Sequence, residues 1–235
     1  IYGGATGAGA ILANANHNVV SNCQIIADTT TTTSLMYGVS LSGASGSHST
    51  GARTDNNIIR DNVIKGGYYG IRAYGSVSDP VNNLVIENNS IEKAYYYGVY
   101  MYYADTLTMT DNTIDMEARA NINADGAYIY YTTNFDISRN NLRAPDYGMY
   151  IYDFTGAFTQ TRKNRFANNI IYSNSDYGLY MYYIDSTELF HNTIVTNGTG
   201  IPALQIYTST TRSIGNYDIR NNIIYSNGSF ALRTN

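Results

Sequence analysis

Few residues in this sequence could do chemistry. The chain has 235 residues with 18 Asp+Glu, 14 Lys+Arg and three His, a formal net charge of −4, and one Cys. Glycoside hydrolysis needs two carboxylates about 5–9.5 Å apart. Asp125 and Asp153 stand at opposite ends of neighbouring strand-like segments, and at ~3.3 Å per residue that is ~20 Å, too far. Asp153 and Asp185 stand one segment and two residues apart, an estimated ~8 Å, and form the candidate catalytic pair. Asp is also an ordinary turn former, and Asp105 repeats Asp185 at an offset of 80 residues, so a turn role competes. The same carboxylate row could take Ca²⁺, a hard cation that wants several oxygens, but no EF-hand-like spacing supports it and no metal site is expected. His17, His48 and His191 are dispersed, and no Ser/His/Asp arrangement or phosphate loop stands out. The lone Cys23 excludes an internal disulfide framework and a Cys-based metal site.

Composition narrows the class. Charged residues make up 14% of the chain, against ~25% in an average soluble domain. No basic surplus exists for a binder that works by neutralising phosphates, so a nucleic-acid partner is not expected. With 25 Tyr and 6 Phe, the chain has the core material that disordered sequences lack. No run approaches the ~20 apolar residues of a membrane-spanning helix.

The elements that must position these residues are repeats. One unit reads Asn57-Ile-Ile-Arg-Asp-Asn62-Val-Ile64, Leu84-Val-Ile-Glu-Asn-Asn89-Ser-Ile91 and Leu107-Thr-Met-Thr-Asp-Asn112-Thr-Ile114, and it continues to Tyr217–Ile224. From Cys23, which stands in for Asn in the first copy, to Asn222 there are seven intervals of about 28 residues. A second unit follows each: a Gly and then a period-2 strand, as in Gly98-Val-Tyr-Met-Tyr102 and Gly178-Leu-Tyr-Met-Tyr182. Residues 87–114 and 167–194 share 13 identities in 28 positions, so three coils form a longer repeat. Short strands at this period, without crossover helices, predict a solenoid. These repeats resemble the right-handed parallel β-helix of the pectate-lyase-like superfamily. The resemblance covers residues 18–232 and implies an all-β parallel solenoid of about eight coils, read as one domain over 1–235. It also implies an Asn column, assigned to Asn62, Asn89, Asn112, Asn141, Asn169, Asn192 and Asn222, with each amide bonding the next coil. Asn suits such turns because it tolerates left-handed backbone and is both donor and acceptor.

Alternation sends Val99 and Met101, and their equivalents, inward, so the second and fourth residues after each Gly point out. One outward column reads Ser40, Arg72, Tyr100, Tyr128, Tyr150, Tyr180, Gln205. The other reads Ser42, Tyr74, Tyr102, Tyr130, Tyr152, Tyr182, Tyr207. At ~4.8 Å between coils these rings are expected to stack along Tyr102, Tyr130, Tyr152 and Tyr182 and to offer edges and hydroxyls. Stacking alone would stabilise the sheet. An exposed aromatic area this large also indicates a binding face. In carbohydrate-active members of the superfamily the groove lies over this face, between flanking loops, here 42–56, 115–125 and 153–165. Lyases of that fold need several charged groups there; only Arg72 is outward, a weak catalytic candidate, since a lone Arg is more often a surface cation–π partner.

Three functions compete. The first is a secreted or cell-surface module, for adhesion or fibre formation, that binds polysaccharide or another protein through the Tyr face. The second is a polysaccharide lyase or glycoside hydrolase with its groove over that face. The third is a structural spacer. Neither end reads as a cap, which predicts that the 235 residues belong to a longer β-helix or stack end to end with another copy.

Overall fold

A computed structural model describes residues 7–42, 51, 54–153, 158–208 and 215–234. Most of the 42–56 loop, part of the 153–165 loop, His48 and the opening residues 1–6 lie outside them. Every strand pair among the described residues is parallel, and the strands fall into three sheets that wind around one core. Each coil makes one strand in each sheet: Tyr97–Asp105, then Thr108–Thr110, then Thr113–Asp115, before Asp125–Thr133 opens the next coil. The predicted solenoid is what forms. The Gly-led strands build the longest sheet, in register from Gly7–Ala13 to Leu232–Thr234.

Register stacks like on like, as a period near 28 residues requires. Val39, Ile71, Val99, Ala127, Met149, Leu179 and Leu204 form one interior file, and Ile64, Ile91, Ile114, Leu142, Ile171 and Ile194 another, all fully buried. Gly98 shows how tightly the coils approach: a Cβ there would lie 2.5 Å from the Gly126 carbonyl oxygen and 2.4 Å from Ile114 Cγ2.

The Asn column forms a continuous ladder, with one correction. Asn112 donates its backbone N–H and its Nδ2 to Asn140 Oδ1 at 3.0 and 2.9 Å, and Asn140 repeats both bonds to Asn169 Oδ1 at 3.0 and 3.1 Å. Asn141, assigned from the sequence, is exposed and opens the next strand instead. Two adjacent Asn residues made the pattern ambiguous; the backbone resolves it, because the residue before each ladder Asn is left-handed, and here that residue is Arg139 at φ 55°. The left-handed position is therefore one residue earlier than expected. Asn22, Asp61, Asn88, Asp111, Asn168, His191 and Asn221 occupy it in the other coils. Cys23 ends the ladder as expected, giving only its backbone N–H to Asn62 Oδ1 at 3.0 Å.

Candidate functional site

The outer face of the Gly-led sheet carries the Tyr columns in the predicted register. Tyr100, Tyr128, Tyr150 and Tyr180 pair in one file, and Tyr74, Tyr102, Tyr130, Tyr152, Tyr182 and Tyr207 in the other. All are half-buried. The ends of the columns depart from expectation: Ser40, Ser42 and Gln205 are buried rather than exposed. Sequence reasoning also missed two flanking files. Tyr37, Tyr69 and Tyr97, each just before its Gly, stack at 5.3 and 5.4 Å, and Tyr147 stacks on Tyr177 at 5.9 Å. Near the C-terminal ends of their strands, Tyr103 and Tyr131 stack at 4.5 Å. The recurring Tyr-Gly pair was the available signal for the first of these files.

Ring geometry corrects the stacking expectation. Tyr74 on Tyr102 and Tyr182 on Tyr207 are parallel, both at 4.6 Å. Between them the column breaks: Tyr102 meets Tyr130 at 58°, Tyr130 meets Tyr152 at 73°, and Tyr152 meets Tyr182 at 36°. Two rows compete for space where Tyr128 and Tyr130 join hydroxyls at 2.8 Å, and this turns the rings off parallel. In the other column Tyr128 and Tyr150 do stack, at 4.5 Å and 7°. The middle of the face thus sets its ring planes at several angles to one another rather than in one parallel stack.

Arg72 is outward but not on the surface. It is 5% exposed, with its guanidinium 4.7–5.7 Å from the ring centres of Tyr37, Tyr69, Tyr74 and Tyr100. Two of the four rings, Tyr74 and Tyr100, stand in the columns read from the sequence, but Tyr37 and Tyr69 come from the file it did not reveal, so the burial was not legible. Enclosed in this way, Arg72 is a poor candidate for catalysis.

Acidic groups flank the face at both edges. At the edge where strands enter, Asp125 takes the position that Tyr holds in neighbouring coils, beside Asp146 and Asp176. Asp125 is 2% exposed and accepts the Tyr147 N–H on Oδ1 at 3.1 Å. Burial, then the charges of Asp146 and Asp176, pushes its carboxyl up to about 8. Asp146 rises to about 6 through burial and Asp176, and burial raises Asp176 as well. Burial also lifts the phenols of Tyr97 and Tyr147, which the nearby carboxylates reinforce, so both stay protonated.

At the exit edge the candidate pair comes together. Asp153 and Asp185 line one cavity of about 220 Å³ with Thr133, Phe158, Gln160, Asn164 and Ile184. Asp153 is buried, while Asp185 is part of a turn: its Oδ1 accepts the N–H groups of Ser186 at 2.7 Å and Gly215 at 3.0 Å. Phe158 meets Tyr103 edge-on at 6.3 Å, which joins the cavity to the aromatic face.

A right-handed parallel β-helix with a tyrosine-clad outer sheet is the class that this fold and face define. The chain belongs to the family described as right handed beta helix region, matched over residues 82–234, and to that described as periplasmic copper-binding protein (NosD), matched over residues 2–157. Among solved structures, the A-module of the mannuronan C-5 epimerase AlgE4 from Azotobacter vinelandii is 14% identical. The match covers 94% of this chain and 67% of that one, with a TM-score of 0.52. The complex of XylC with xylose is 13% identical, covering 81% of this chain and 37% of that one, with a TM-score of 0.43. At these identities the likeness is one of fold. No curated protein matches the chain significantly.

Proposed function

We propose that this β-helix is an exported module whose Tyr face binds a polysaccharide laid across the coils. The observation that carries the reading is the broken stack: rings turned 58° and 73° from their neighbours around Tyr130. A sugar ring packs on an exposed aromatic face while its hydroxyls meet phenol oxygens, and a fully stacked column would offer edges alone. The phenols act as neutral donors and acceptors, since burial and the neighbouring Tyr131 and Tyr130 push even Tyr152 up to about 12. The periplasmic character of the NosD family supports export. Copper, which that family's description names, finds no fitting donor set among the described residues. All six Met side chains are in the core, His17 and Cys23 sit in the first coil far from His191, and no group of three metal-ligating side chains forms among the described residues. The test is affinity electrophoresis in gels cast with polysaccharide. Tyr130→Ser with Tyr152→Ser is expected to abolish retardation while leaving the circular dichroism unchanged; unaltered retardation refutes the reading.

One observation favours a second reading, a glycoside hydrolase: Asp153 and Asp185 share a cavity beside the face. Release of reducing ends, lost in Asp153→Asn, would support it over binding alone.

A further inference from the structure

Resting on the polysaccharide reading above, we infer that the glycan this face accepts is free of carboxylates, and that one of its sugar residues seats in the cavity holding Asp153 and Asp185. The argument is electrostatic and steric. A polyuronate carries a carboxylate on each residue, and binding it requires accessible cations along the path. Among the described residues of this face the positions are filled otherwise. Arg72 lies under four Tyr rings, 5% exposed. Arg119 is at the flank, 4.8 Å from the Tyr95 ring centre, with its guanidinium donating to the Thr31 carbonyl. Arg233 stands only on the last coil, in register with Gln205. Between these positions the described central coils offer phenols, while Asp125, Asp146 and Asp176 line the entry edge and Asp105, Asp153 and Asp185 the exit edge, where exposed Arg162 is tied to the Asn134 carbonyl through Nε and a terminal nitrogen.

The cavity supplies the positive half of the argument. Its volume of about 220 Å³ is below the roughly 300–1,000 Å³ of sites for drug-sized ligands, which suits one ring rather than an oligomer. Phe158 provides an apolar wall that continues from Tyr103. Thr133, Gln160 and the two carboxylates bring polar atoms to the same space. Asp185 is immobilised by the two backbone N–H groups on its Oδ1, and Gln160 by its Nε2 donation to the carbonyls of Asp185 and Ser186. Carboxylate acceptors make charge-assisted bonds to sugar hydroxyls. The same oxygens repel a uronate at close range in a partly desolvated site. Selection by exclusion of the wrong partner thus accompanies selection by fit.

The experiment measures binding of the whole chain to three hexasaccharides, one of β-1,4-glucose, one of β-1,4-glucosamine and one of uronate, by calorimetry with EDTA present to remove bridging cations. At least one of the carboxylate-free oligomers is expected to bind ten-fold or more tightly than the uronate. Asp153→Asn together with Asp185→Asn is expected to narrow that ratio at least three-fold, with Asp153→Asn alone as the check should the double variant fail to fold. Uronate binding equal to or tighter than the others overturns the inference and leaves the Tyr-face reading standing, provided Tyr130→Ser with Tyr152→Ser weakens it. A ratio unmoved by the Asn variants overturns the cavity's role. Failure of all three oligomers to bind overturns both readings.

Discussion

Replacing Asn140 by Ala should cost far more than replacing its neighbour Asn141, although the two are chemically identical and adjacent. Asn140 is 1% exposed. Its Oδ1 accepts the Asn112 N–H at 3.0 Å and the Asn112 Nδ2 at 2.9 Å, and its Nδ2 donates to the Met109 carbonyl at 2.8 Å. Truncation strands the Asn112 N–H and the Met109 carbonyl inside a turn that water does not reach, while Asn112 Nδ2 keeps the Ile86 and Thr110 carbonyls at 2.8 and 2.9 Å. Each orphaned buried group costs about 1–3 kcal/mol, so a loss of at least about 2 kcal/mol is expected, or roughly 4–8 °C in the unfolding midpoint for a chain of this length. Asn141 is exposed, and such substitutions stay within about 0.5 kcal/mol. Far-UV circular dichroism during heating measures the difference. Because solenoid stability is summed over neighbouring coils, hydrogen exchange adds a local readout, in which the Asn112 amide should exchange faster in Asn140→Ala alone. Equal midpoints for the two variants, or a larger loss for Asn141→Ala, would refute the ladder argument.

Three further outcomes follow from the same geometry. Gly98→Ala drives a Cβ to within 2.5 Å of the Gly126 carbonyl, and overpacking of this kind costs about 1–3 kcal/mol or more; denaturant titration should show it, and a neutral result would mean the coils can separate. Arg72→Ala removes a guanidinium packed on four rings and is expected to destabilise by about 2–4 kcal/mol, combining cation–π loss with a cavity; near-ultraviolet dichroism should report the loosened Tyr37 and Tyr69. Asp125 and Asp146 have folded values raised to about 8 and about 6 from 3.8, so the fold favours their protonated forms. Their contribution is complete below pH ~4 and is lost as pH rises through 6 and 8. The midpoint should therefore fall from pH 5 to pH 9 and fall less in Asp125→Asn, whereas a rise over that range would contradict the assignment.

Which features could be read without coordinates follows from how local their causes are. Alternation and the near-28-residue period arise from side chains a few positions apart, so the inward files, the outward Tyr columns and the parallel solenoid were legible in the sequence. Cys23 at the ladder's end was legible for the same reason. Asn140 was not, because an Asn-Asn pair satisfies the pattern at either residue and only the left-handed Arg139 distinguishes them. Nor was the burial of Arg72, which depends on rings from three coils, or the tilt of Tyr130, which depends on the space left by Tyr128 and Tyr152. The cavity behind Asp153 and Asp185 unites residues from several coils. The amino-acid order determined which side chains lie in each file and which way they point. Tertiary packing decided how those side chains share the space between files, since ring orientation, burial and cavity shape are set by all neighbours at once and by no single segment.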